Sequence, residues 1–201
     1  NQPIVATTYK NVYGLGETVN LNGQISSSAS SSSYTVYLTK PDGTMVQNAI
    51  SVQNGQFTWS WNIPSSFSVS PSAKNCAELR CLPALTGPFG IYKITVSSNS
   101  ATVDLYFEVS KNPQSDTFTP FILHTDKSQY QTTELLELSG QIIPSSDPAT
   151  KETNPMPVVI IYSSKGQEVY RTFVNVNSGG QFLTAVHLNP GVFKTDQYKA
   201  Y

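Results

Sequence analysis

YGLGETVNLNGQI, Tyr13 to Ile25, is written a second time as YQTTELLELSGQI from Tyr130 to Ile142. Tyr13, Glu17, Val19, Leu21, Gly23, Gln24 and Ile25 recur as Tyr130, Glu134, Leu136, Leu138, Gly140, Gln141 and Ile142. In the first copy Val19, Leu21 and Ile25 alternate with Thr18, Asn20, Asn22 and Gln24, the period of a β-strand with one wet face. The offset of 117 residues, 130 minus 13, in a chain of 201 favours two β-domains, each long enough to bury a core.

Reading outward, Ile4 to Tyr9 is an opening strand and Ser26 to Ser33 a flexible serine loop. Strands at Tyr34–Thr39 and Met45–Val52 flank Pro41-Asp42-Gly43, a hairpin turn in which Pro presets φ and Gly accepts a positive φ. Asn54-Gly55-Gln56 is the next tight turn. Phe57, Trp59, Trp61 and Ile63 then alternate with Thr58, Ser60 and Asn62. That inward face makes Phe57, Trp59 and Trp61, with Phe182 in the second copy, the expected core anchors, at roughly 1.5–3 kcal/mol per large apolar side chain buried. An aromatic platform for sugars is the competing reading, and alternation with polar residues favours the core. After an irregular excursion from Pro64 to Pro88, strands at Ile91–Val96 and Val103–Val109 close the first domain.

The expected domains are therefore 1–110, a linker over 111–120, and 121–201. The second copy repeats the order through Phe121–Asp126, Glu134–Ile142, Val158–Tyr162, Glu168–Val176 and the run from Phe182 to Leu188. Tyr198 and Lys199 match Tyr92 and Lys93. No counterpart of Val103 to Val109 follows, so the second sandwich lacks its last strand and leaves a core groove and unpaired edges. The chain reads as an excised piece of a longer repeat array. The alternative is a groove filled by a neighbour's strand, with Asn1 to Val12 as the donor.

Only 12% of residues are charged and the net charge is −1, so no basic stripe exists for a nucleic-acid partner. Polarity comes from 26 Ser, 20 Thr and 14 Asn. No apolar run approaches the ~18 residues of a membrane helix, so no direct membrane insertion is expected in this segment. Cys76 and Cys81, in CAELRC, suit a small disulfide-closed loop and an oxidising, extracellular setting. No Asn stands two residues before Ser or Thr, which excludes the standard sequon; Ser26 to Ser33 is the remaining candidate for sugar.

Chemistry is sparse. His124 and His187 have no metal-ligand spacing, and no nucleophile elbow is present. Asp42, Asp116, Asp126, Asp147 and Asp196 are scattered; calcium, if bound, would sit near Asp116. Glu17 and Glu134 share a strand start and read as solvated turn residues. Lys93 and Asp104 fall on neighbouring strands, placed for a cross-strand ion pair worth under ~1 kcal/mol. The expectation is a non-enzyme with no catalytic, cofactor or metal residues.

Short strands punctuated by Gly, Pro and Asn, with no helical periodicity, describe all-β architecture: two tandem immunoglobulin-like antiparallel β-sandwiches. The Cys and Trp pattern of antibody domains is absent. TDKSQYQTTELLELSGQI, PVVIIYSSKGQEV, VNVNSGGQFLTAV and VFKTDQYKAY, in that order, resemble the repeated Ig-like domain of large surface-layer and cell-surface proteins of ammonia-oxidising archaea. YGLGETVNLNGQI, KPDGTMV, NGQFTW and GIYKITV extend the resemblance loosely to the first copy. It implies a structural protein of a surface layer or an adhesin, self-associating or meeting neighbouring surface proteins. The chain departs from that family in its weakly charged surface and its Cys76 to Cys81 loop. An extracellular glycan- or protein-binding module using Pro64 to Pro88, and a donor-strand filament subunit, are the other readings.

Overall fold

The computed structural model describes residues 4–26, 33–66, 88–98, 101–143 and 156–201. The cysteine pair and most of Pro64 to Pro88 lie outside them, as does most of Ser26 to Ser33. The described residues are all-β and form two compact units, one running to Pro120 and the other from Phe121 to Tyr201.

In the first unit eight strands follow in order: β1 Ile4–Thr8, β2 Val12–Tyr13, β3 Thr18–Ile25, β4 Tyr34–Thr39, β5 Met45–Ile50, β6 Gln56–Asn62, β7 Gly90–Ser97 and β8 Thr102–Val109. One sheet has the order β1-β3-β6, the other β2-β8-β7-β4-β5. Both sheets contribute to one core, in which Val19, Leu21, Val36, Leu38, Ile94 and Phe107 are fully buried. This is an immunoglobulin-like sandwich: the opening segment pairs with one sheet as β1, then crosses to the other as β2. The crossover was not expected. β2 is two residues long and pairs parallel to β8, Val12 opposite Glu108 and Tyr13 opposite Val109, too short to leave a periodic signal.

The Gly-Gln that closes the second strand of each copy has a steric cause. A Cβ on Gly23 would lie 2.0 Å from Cζ of Phe57, its cross-strand partner. On Gly140 it would lie 2.3 Å from the Ile122 carbonyl and 2.4 Å from Cζ of Phe182. The phenyl ring lies across the glycine in both units, and only hydrogen fits beneath it. The β5–β6 turn matches expectation: Asn54 (φ 52°) and Gly55 (φ 75°) are both left-handed, as a type I′ turn requires.

The second unit has six strands: β9 Phe121–Thr125, β10 Leu135–Ile142, β11 Val158–Ser163, β12 Glu168–Phe173, β13 Gln181–His187 and β14 Tyr198–Ala200. Its sheets are ordered β13-β10-β9 and β12-β11-β14, around a core that includes Leu138, Ile161, Phe182 and Val186. By register β14 is the counterpart of β7: Lys93 stands opposite Thr39 on β4, and Lys199 opposite Tyr162 on β11. Among the described residues nothing takes the place of β8, and the segment equivalent to β2 forms no strand.

Candidate functional site

Three constructions recur or fail to recur between the units, and the third leaves an opening. The first is a clasp where the chain crosses between sheets. Lys10 Nζ meets Glu17 Oε1 at 2.7 Å, Gly14 N–H donates to Glu17 Oε2 at 2.8 Å, and Lys10 N–H donates to the Tyr13 hydroxyl at 3.2 Å. The second unit repeats it with Lys127 to Glu134 at 3.1 Å, Gln131 N–H to Glu134 at 2.8 Å and Lys127 N–H to Tyr130 at 2.9 Å. Each ammonium also sits over its tyrosine ring, 5.3 and 5.7 Å from the centroid. The Lys10 ammonium and the Gly14 amide hold the Glu17 carboxyl below its usual range; the Gln131 amide and Lys127 do the same for Glu134. These glutamates are more than solvated turn residues. The signal was available as Lys-x-x-Tyr-x-x-x-Glu at one offset in both copies.

The second construction is a tyrosine corner. The Tyr92 hydroxyl donates to the Pro88 carbonyl at 2.7 Å, and the Tyr198 hydroxyl donates to the Lys194 carbonyl at 2.9 Å. Each phenol reaches four residues back, tying the loop to the strand that follows.

The third is the aromatic centre of the first unit. Phe107 on β8 is fully buried, stacked on Tyr92 (centroids 5.0 Å, 16° between planes) and edge-on to Tyr13 (5.4 Å, 80°). Beside it Lys93 Nζ meets Asp104 Oδ2 at 3.1 Å and Thr95 Oγ1 donates to Asp104 Oδ1 at 2.6 Å. That pair is 19% and 16% exposed, so it is drier than a surface ion pair. Tyr130, Tyr198 and Lys199 stand in the second unit where Tyr13, Tyr92 and Lys93 stand in the first, without a Phe107 or an Asp104. Tyr13 and Tyr92 are 1% and 2% exposed; Tyr130 and Tyr198 are only half-buried. Phe193 packs edge-on to Tyr198 (5.4 Å, 68°), and beside them lies a cleft of about 980 Å³ bordered by Leu136, Leu138 and Ile161, themselves buried.

The expected anchors differ among themselves. Phe57 and Phe182 are buried at 3% and 8% exposure. Trp59 and Trp61, on the same edge strand as Phe57, are half-buried against the first core, Trp61 tilted on Tyr92 at 5.4 Å. His124 and His187 are exposed. Asp116 accepts a hydrogen bond from the Ser110 hydroxyl, and Glu108 nearby is held above its ordinary range by burial and by the Asp116 charge. Among the described residues no three His, Cys, Asp or Glu side chains come together as a metal site. Lys111 to Pro120 belongs to the first unit, folded back through Ser115 and Asp116 N–H groups on the Asn112 carbonyl, both at 3.0 Å.

No family model matches the chain, and no curated protein sequence does. Among solved structures, trypsin-activated alpha-2-macroglobulin from Escherichia coli aligns at 12% identity and TM-score 0.39, covering 93% of this chain and 13% of that one. FdeC, an Escherichia coli adhesin, aligns at 11% identity and TM-score 0.35, over 94% of this chain and 56% of its own. A tetra-tandem repeat from the extending region of a large adhesion protein aligns at 13% identity and TM-score 0.35, over 92% and 40%. The chain spans less than two thirds of each, and likenesses this shallow carry no argument about function.

Proposed function

We propose that this chain is a structural, non-enzymatic part of a cell-surface protein, a surface-layer or adhesin component, in which tandem immunoglobulin-like modules associate through their sheet edges. The observation that carries the reading is the repetition itself. The side chains most tightly arranged, the Lys-Tyr-Glu clasp and the tyrosine corner, occur in both units and serve the framework. A surface rich in hydroxyls and amides and poor in charge accords with an exported protein, as does the resemblance to archaeal surface-layer repeats. Light scattering of the purified chain across concentration, with intact-mass spectrometry, tests the association. Concentration-dependent assemblies of the full-length chain are expected. A discrete monomer up to millimolar concentration would remove self-association from the account.

A further inference from the structure

We propose that β5 of the first unit is a self-recognition edge, on which two copies of this chain pair β5 to β5 about a two-fold axis at Gln47. The inference rests on the association read above and names the edge, the partner and the register.

An edge strand exposes a row of backbone donors and acceptors, and proteins commonly blunt it with charge, proline or a bulge. The two units treat one edge differently. β12, beside β11, carries Glu168 and Arg171, the guanidinium donating to both carboxylate oxygens at 2.8 Å, and its register with β11 shifts between Ile161 and Tyr162. β5, the corresponding edge beside β4, has none of these devices. Its sequence, MVQNAI, holds no charge and no proline, and all six residues pair with β4 in unbroken register. Among the described residues β4 is the one strand it pairs with.

The hairpin decides which groups β5 offers. Lys40 N–H donates to the Thr44 carbonyl at 2.8 Å, which makes Lys40 and Thr44 the hydrogen-bonded pair that closes β4 on β5. Bonded and non-bonded pairs alternate along an antiparallel ladder. Met45, Gln47 and Ala49, opposite Thr39, Tyr37 and Thr35, therefore turn their N–H and C=O groups away from β4. Their side chains are exposed, Met45 at 61%. An axis at Gln47 sets Met45 against Ala49 of the partner subunit, and Gln47 against the partner's Gln47. All three positions then become hydrogen-bonded pairs of a new antiparallel ladder, with about two bonds per pair. A long thioether meets a methyl, and each carboxamide holds both a donor and an acceptor for its twin. The strand carries no charge, so no like pair is brought together. An isologous contact of this kind closes at two copies.

Sedimentation equilibrium of the full 201-residue chain tests this. The native chain should form a dimer that dissociates on dilution. Gln47→Lys and Gln47→Glu, each alone, set like charges face to face and should weaken dimerisation roughly tenfold or more. Mixed in equal amounts they should restore it, now as a heterodimer that salt weakens. Position 47 is exposed, so circular dichroism and the indole-monitored melt of each variant should match the native chain. Single variants that dimerise as tightly as the native chain overturn the proposal and leave association to another edge, such as β6. A mixture that stays monomeric also overturns it, because the two charges then do not meet across an axis. A native chain that is monomeric up to millimolar concentration removes both this edge and the self-association read above, so the two failures are told apart.

Discussion

Gly23→Ala tests the packing that the repeated Gly-Gln encodes. The new Cβ would lie 2.0, 2.4 and 2.8 Å from Cζ, Cε1 and Cε2 of Phe57. Ordinary carbon contact is about 3.5 Å, so the ring must retreat by about 1.5 Å. Phe57 is 3% exposed in a core shared by both sheets, and has nowhere to retreat without displacing neighbours. Overpacking of this kind costs about 1–3 kcal/mol; about 2 kcal/mol corresponds to a fall of roughly 8–16 °C in the melting temperature of a ~100-residue unit. Both tryptophans lie on β6, so indole fluorescence follows the first unit alone. All three atoms in the way belong to the far side of the phenyl ring. Phe57→Leu added to Gly23→Ala should therefore recover most of the loss, with coupling of about 1 kcal/mol or more. Gly140→Ala should not be rescued by Phe182→Leu, since the Ile122 carbonyl, at 2.3 Å, still blocks the methyl. If Gly23→Ala melts within a degree or two of the native chain, the steric account of the repeat is wrong.

Tyr92→Phe deletes the donor to the buried Pro88 carbonyl and should cost about 1–2 kcal/mol in thermal unfolding; Tyr198→Phe, at a more exposed corner, should cost less. Glu17→Gln should lower the melting temperature at neutral pH. Because the folded carboxyl titrates below its usual range, its contribution is present above the ordinary carboxylate pKa and disappears as pH falls through the folded value, so native and variant should converge as the pH is taken below the ordinary carboxylate range. Burial, then the hydrogen bond to Asp126, pushes the Tyr130 phenol up to about 12. The folded state keeps this proton where the unfolded chain has lost it, so stability should decline between about pH 10 and 12. Absorbance titration should show a late-ionising tyrosine that moves earlier in Asp126→Asn.

Alternation marked the core strands well because a strand has only two faces. Leu21, Val36, Ile94 and Phe107 each fell on the side that is buried. It could not say where a strand stands within its sheet. Nor could it say how deeply each ring on one face is covered: Phe57, Trp59 and Trp61 share β6, yet Phe57 lies across Gly23 and is buried while the two indoles, opposite Leu21 and Val19, are half-buried. The paired glutamates were visible as a repeat, but their function depends on Lys10 and Lys127, seven residues upstream, and in an all-β chain it is the intervening turn, not the strand period, that brings each pair together. The cleft was legible as a missing strand. The match of Tyr198 and Lys199 to Tyr92 and Lys93 was legible too, and the register of β14 on β11 bears it out.

The parallel pairing of β2 with β8 has a mechanical consequence. Tension drawn between the opening of the first unit and its exit beyond Ser110 acts along these two strands in opposite senses. The hydrogen bonds from Glu108 and Ser110 to the Asn11 and Tyr13 carbonyls therefore lie across the pull and are sheared together, where a hairpin pulled from its open end would unzip bond by bond. The first unit thus has a built-in brake against extension. Among the described residues of the second unit no parallel pair of this kind forms, so the two modules, alike in core and corner, differ in how they would answer a pull.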